Sequence, residues 1–393
     1  MRITVLCTDL GIRLPGEKGA SMHLASITSA FAAEGHEVQL VAVAGHEHLD
    51  PSFAASLADV RLLPHPGRAE GLQREHNKLA FVEHVVTHLG PAVGEFAPQL
   101  VYERLSLFGD AGRRLVATMP GTHHVVEVNA LLAEEDAQWR GLQLGDLATS
   151  IERQVLAEAD LAVAVSEEVA QKVRHASPTS RCVVVENGAE VERFRTLPTR
   201  DAAREQLGLP GDAIVAGFVG ALRPWHGVDV AITAVSRRSQ LHLAVVGDGP
   251  VRQELSELAD ALGVQTRVHF LGHRSHDEVA TLLAAVDMAI APYPALDGFS
   301  FSPLKLYEYL AAGTPVVASA IGQIPDALGN GAFGTLVAPG DAEALAAAML
   351  RVADDPSAAT RAAAGRAHAL AHHGWNERAR RIVGMAEHAR AVA

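Results

Sequence analysis

Short runs rich in Val, Ile, Leu and Ala, bounded by turn residues, alternate with amphipathic stretches along almost the whole chain, and the alternation occurs twice. Apolar runs without a polar–apolar period of two belong to strands buried on both faces, and strands that alternate with helices make βαβ units with a parallel sheet. The first series predicts strands near 2–7, 38–44, 59–63, 99–103, 123–129 and 161–165, with helices between them that include 21–34 and 74–89. The second predicts strands near 214–219, 241–246, 267–271, 287–291, 315–318 and 334–337. Its helices fall near 201–207, 228–236, 250–261, 275–284, 303–312 and 341–353. A chain of 393 residues exceeds what one hydrophobic core usually organises, so two α/β domains are expected.

The hinge is placed at Val183-Val184-Val185-Glu186-Asn187-Gly188, a last strand running into an Asn-Gly turn and then a polar stretch through Pro198. Domain boundaries follow at 1–190 and 191–375. Residues 376–393 carry Ile382, Val383, Met385, Ala386 and Ala389 at helical spacing and are expected to pack as a helix against the first domain. Doubly wound sheets bind ligands at the carboxyl ends of their strands, so both sheets are expected to face one cleft.

Charge and composition exclude several classes. Residues 1–190 hold 15 Lys and Arg against 25 Asp and Glu, or 15 − 25 = −10 of the chain's −13, which disfavours nucleic acid and anionic lipid as partners. The same field favours a cationic acceptor, such as an amino sugar or aminocyclitol. No apolar run is long enough to span a bilayer, and the run Ile3–Cys7 is too short for the core of a signal peptide. Cys7 and Cys182 both lie in apolar runs and read as buried thiols in a reducing cytoplasm rather than as a disulfide or metal pair. The histidine pairs His46/His48, His84/His88, His123/His124 and His372/His373 lack a third ligand nearby and read as solvated, so no metal is expected.

Two segments carry chemistry. In Phe299-Ser300-Phe301-Ser302-Pro303-Leu304-Lys305-Leu306-Tyr307-Glu308, a serine cap and first-turn proline predict a helix start with free N–H groups at Leu304 and Lys305, suited to a phosphate. Glu308, one turn on, is placed to accept hydrogen bonds from a ribose diol. A capped surface helix with a Lys–Glu pair explains the same residues. In Phe218-Val219-Gly220-Ala221-Leu222-Arg223-Pro224-Trp225-His226-Gly227, a strand ends in a tight loop where Gly220 lets backbone approach a ligand and Arg223 and His226 supply cationic donors. The three-glycine spacing of a dinucleotide turn is absent. Loop packing is the competing explanation.

Together with Val246-Gly247-Asp248-Gly249-Pro250, Phe270-Leu271-Gly272-His273-Arg274 and Ala285–Pro292, these segments resemble the retaining glycosyltransferases of family four, which have the GT-B fold. The resemblance covers nearly the whole chain. It implies transfer of a hexose-type sugar, with retention, from a nucleoside diphosphate sugar such as a UDP-sugar to a small acceptor, without a metal. It further implies that backbone at Gly272-His273-Arg274 holds the base, that Glu308 holds the ribose, and that Ser300, Ser302, Leu304 and Lys305 lie along the donor. Arg223 and His226 stand near the diphosphate, where the family's arginine and lysine fall on Ala221 and His226. Ser300 occupies the place of the first of two family glutamates, which leaves the sugar open. Asn129 ends the strand His124–Asn129 where many relatives have a histidine near the reacting sugar. Glu127 and Asn129 share a face of that strand and are expected, with His23, to bind the acceptor or sugar hydroxyls, or else to be satisfied internally. Gly19, Ala20 and Ser21 are expected in a loop beside the leaving diphosphate, or in a surface loop with a cap at Ser21. A nucleotide-sugar epimerase of the same fold and a non-catalytic sugar-binding protein are the alternatives.

Overall fold

The structure, a computed structural model, describes residues 1–16, 18–296 and 304–391. The chain divides into two compact units, one holding residues up to Asn187 together with the helix from Trp375, the other holding Gly188 through Gly374.

The first unit is built on an all-parallel sheet. Its strands are β1 (Arg2–Cys7), β2 (Arg13–Leu14), β3 (Glu37–Ala44), β4 (Asp59–Leu63), β5 (Leu100–Arg104), β6 (His123–Val128), β7 (Leu161–Ala164) and β8 (Cys182–Val184). The order is β2-β3-β1-β5-β6-β7-β8, with β4 also paired to β3. The chain runs outward from β1 to β3 and β4, then returns to lay β5 on the other side of β1. This reversal leaves a crevice at the carboxyl ends of β1 and β5.

The second unit repeats the plan with β9 (Ile214–Val219), β10 (Leu241–Val246), β11 (Val268–Gly272), β12 (Met288–Ala291), β13 (Val316–Ser319) and β14 (Thr335–Val337) in the order β11-β10-β9-β12-β13-β14. Its reversal lies between β9 and β12. Successive strand residues feed opposite faces: Val215, Ala289, Ala291 and Ala318 enter one apolar cluster, and Ala216, Phe218, Ile290 and Val317 the other. That two-sided burial is why these strands read as unbroken apolar runs.

The tail forms the helix Trp375–Ala391, with Ala379, Ile382, Val383 and Ala386 buried, and it packs in the first unit along the helix Gly19–Ala33. No helix among the described residues is long and apolar enough to cross a membrane. Cys7 and Cys182 are free. Burial pushes the Cys7 thiol up to about 12, whereas Cys182 is only half-buried, contrary to the expectation for it. The histidine expectation also needs correction. His84 and His88 are exposed, but His124 is buried against Glu103 and His373 is buried, because strand and helix packing enclose them.

Candidate functional site

At the reversal of the second sheet lies a cation with no hydrogen-bond partner among the described residues. Lys305 extends from the helix Leu304–Ala312, and its ammonium is buried and unsatisfied. Nζ sits 4.3 Å from the ring centre of Phe218 on β9 and 5.6 Å from that of Tyr293 just after β12. Burial holds its pKa down to about 7, with Glu308 opposing. A buried ammonium that meets ring faces alone among the described residues is a costly arrangement unless something anionic arrives to complete it.

The backbone around the lysine is drawn in by glycine. Gly220 ends β9 with φ +146, and a Cβ there would come within 2.7 Å of the Lys305 Nζ. Gly227 has φ +68 and lies so close to the Pro292 carbonyl that a Cβ would overlap it at 1.8 Å. The strand end is held by Tyr309, whose hydroxyl accepts from the Val219 N–H at 2.9 Å. Gly272 turns β11 with φ +72, and its carbonyl accepts from the Gly247 N–H at 2.8 Å. Arg274, two residues on, donates through Nε to the Leu271 carbonyl and through Nη1 to Glu278.

Glu308, one turn beyond Lys305, is pushed up to about 7 by burial; Arg193 and Lys305 pull it down and Glu190 pushes it further up. Lys305 and Glu308 are therefore not the closed surface pair that a capped helix alone would give. Ser300 and Ser302 lie outside the described residues.

His226 departs from the expectation of a cationic donor. Its Nδ1 faces the Ala221 carbonyl and so carries a proton, and burial, then Lys305 and Arg223, push its pKa down to about 4. It is neutral at pH 7. Arg223 is exposed, 5.7 Å from the Trp225 ring centre. Lys305 is the cation set over Phe218 of β9.

In the first unit, Gly19, Ala20 and Ser21 are not a loop. They form the first turn of the helix Gly19–Ala33, whose cap is Lys18, and Ser21 is buried. Small residues permit the helix to start two residues early, and the N–H groups of Ser21 and Met22 already bond to the Lys18 carbonyl. His23, on the next turn, meets the carboxyl ends of β5 and β6. Glu127 is 3% exposed and receives Arg104 Nη1 (2.7 Å) and the Asn129 amide on Oε1, and the Tyr102 hydroxyl and His23 Nε2 (3.0 Å) on Oε2. His23 also stacks on Trp375, with ring centres 4.7 Å apart. Burial pushes the His23 pKa down. Burial alone would raise Glu127, but His23 and Arg104 hold it far below the usual carboxylate range. With four donors on its two oxygens, Glu127 has no lone pair turned outward. Of His23, Glu127 and Asn129, it is Asn129 that is partly exposed. Arg104 and Tyr102 escaped the sequence reading because β5 looks like any buried strand; an arginine inside an apolar run was the available signal.

The sequence matches the family described as "Glycosyl transferase 4-like domain" over residues 18–188 and that described as "Glycosyl transferases group 1" over residues 199–368. It is 36% identical over 217 residues to the D-inositol 3-phosphate glycosyltransferase of Mycobacterium tuberculosis, a match covering 53% of this chain and 43% of that protein. The match thus spans less than half the length of that relative. The structure resembles the sucrose-phosphate synthase of Thermosynechococcus elongatus (TM-score 0.77, 20% identity, 100% of this chain and 99% of that one). It also resembles Anabaena HepE in complex with UDP and glucose (TM-score 0.73, 20% identity, 98% of each chain). At this identity the likeness shows the fold.

Proposed function

We propose that this chain, which belongs to the GT-B glycosyltransferases of the family-four type, transfers a hexose-type sugar with retention from a nucleoside diphosphate sugar, a UDP-sugar, to a small acceptor. The observation that carries the reading is the buried ammonium of Lys305 at the reversal of the second sheet, without a hydrogen-bond partner among the described residues and one helical turn from a carboxylate. The choice of uridine draws on the structural likeness to HepE in complex with UDP and glucose.

In this reading the diphosphate completes Lys305 and meets the first N–H groups of the helix Leu304–Ala312, with Arg223 reaching it from the exposed loop. Negative charge that grows on the departing diphosphate is then met by groups already in place, which is where preorganised electrostatics lower a barrier. Glu308 accepts from the ribose diol, and backbone at Gly272-His273-Arg274 frames the base. The acceptor attacks from the face the diphosphate leaves, and the diphosphate takes its proton. No metal is invoked. The free cysteines suit a reducing, cytoplasmic setting.

The test is nucleotide release from UDP-glucose and other nucleotide sugars, with and without a panel of hydroxyl- and amine-bearing acceptors. Acceptor-dependent release with an α-linked product is expected. An isomerised donor in the absence of acceptor points instead to an epimerase, and binding without release to a non-catalytic protein.

A further inference from the structure

The helix Leu304–Ala312, which carries Lys305 and Glu308, is tied down at its far end. Its last residue, Ala312, leaves a carbonyl that no later turn of the helix can use. Arg366, from the helix Ala358–His372, donates to it through Nη1 at 3.1 Å, and through Nη2 to the carbonyls of Phe194 at 2.8 Å and Arg195 at 3.1 Å. One guanidinium thus joins the end of the helix Leu304–Ala312 to the short helical turn Val191–Phe194, which a planar fork of donors can do and a single ammonium cannot do as rigidly. Gly313 makes room for the join: it leaves the helix with φ +72, and a Cβ there would come within 3.1 Å of Arg366 Cδ.

The tethered turn carries the charges that meet Glu308 from outside its own helix. Val191 and Phe194 are buried in the same apolar cluster as Leu306, Tyr307 and Leu310. Glu190 and Arg193, three residues apart, flank them; Arg193 favours the Glu308 carboxylate and Glu190 opposes it. Lys305 acts on Glu308 from within the helix. Just past the helix Ala358–His372, His373 stacks on Tyr307, with ring centres 4.3 Å apart.

We propose that Arg366 is a positioning residue for Glu308: by holding the turn Val191–Phe194 to the end of the helix Leu304–Ala312, it fixes Arg193 and Glu190 against the carboxyl group. Its consequence for donor binding rests on the sugar-transfer reading above, whereas its effect on Glu308 in the free protein does not.

The titration of Glu308 decides the matter. Protein labelled with ¹³C at the glutamate carboxyl carbons, with the Glu308 signal assigned from Glu308→Gln, gives its midpoint without any ligand. Arg193 acts on Glu308 more strongly than Glu190 does, so freeing the turn in Arg366→Met is expected to raise the midpoint by about half a unit or more. General loosening of the structure would admit water and lower the midpoint toward the ordinary carboxylate value, so the sign separates positioning from lost packing. Arg366→Lys keeps the charge but loses the fork and is expected to follow Arg366→Met. If Arg366→Met does not fold, Arg193→Gln reads the same link and is also expected to raise the midpoint. Calorimetric dissociation constants for UDP should then weaken about threefold at pH 6 in Arg366→Met and hold at pH 8.5, where Glu308 is ionised in both proteins. An unmoved or lowered midpoint in folded Arg366→Met, an unmoved one in Arg193→Gln, or a wild-type value in Arg366→Lys overturns the proposal. A raised midpoint with an unchanged UDP constant at pH 6 overturns its consequence for the donor. Absence of UDP binding in the wild type overturns the sugar-transfer reading, and the Glu308 titration still decides the role of Arg366.

Discussion

Lys305 and Glu308 both titrate near pH 7 in the free protein, and they pull the pH dependence of donor binding in opposite directions. A diphosphate favours the Lys305 ammonium and raises its pKa, so affinity weakens as pH rises from about 7 through the bound-state value. A ribose diol donating to Glu308 favours the carboxylate and lowers its pKa, so affinity also weakens as pH falls below about 7. An optimum near neutrality is expected. Calorimetric dissociation constants for UDP should lose the alkaline limb in Lys305→Arg and the acid limb in Glu308→Gln, while His226→Asn, already neutral, leaves the curve in place. Lys305 also burdens the empty protein, because an ammonium without partners is buried below its pKa. Lys305→Met is expected to raise the apo melting temperature at pH 6.5, at roughly 2–4 °C per kcal/mol recovered. These two residues were legible because a serine, a proline and a helical spacing announce them. His226 was misread because its neighbours Lys305 and the Ala221 carbonyl converge on it only in three dimensions, and nothing local in the sequence tells a half-buried neutral imidazole from a solvated one.

The elements that set the site are a strand end, two tight glycines and a helix start. Gly227→Ala places a Cβ 1.8 Å from the Pro292 carbonyl at a φ of +68, so the loop must move or the unit must loosen. A loss of about 1–3 kcal/mol on urea denaturation is expected, with a raised donor dissociation constant in whatever folds. Unchanged stability and affinity would mean the close approach of Gly227 to Pro292 does not matter. The strands were readable because both faces are buried and their apolar runs are unbroken. The helix Ala358–His372 was not, since its Thr-Arg-Ala-Ala-Ala-Gly-Arg sequence has no broad apolar stripe and packs through alanines and Gly365. The start at Gly19 was missed for a related reason: Lys18 caps with its backbone alone, leaving no side-chain signal.

At the scale of the whole molecule, the chain closes on its first unit by returning the helix Trp375–Ala391 to it. Ending the chain before Trp375 removes the buried Trp375, Ile382 and Val383 and uncovers the stacked His23. With about 1.5–3 kcal/mol for each large apolar side chain, the first unit is expected to melt earlier and to be cut first in limited proteolysis. The acidic first half supports a cationic acceptor, whose KM should rise with salt; a neutral acceptor indifferent to salt would contradict that assignment. The second unit, in the function proposed for it, is a nucleotide-sugar site organised around Lys305. Calorimetric titration of UDP-glucose into wild type and Lys305→Met at pH 7 tests it most directly. Saturable binding in the wild type and a loss of tenfold or more in a folded Lys305→Met are expected, and equal affinity in the two proteins would remove Lys305 from the donor site.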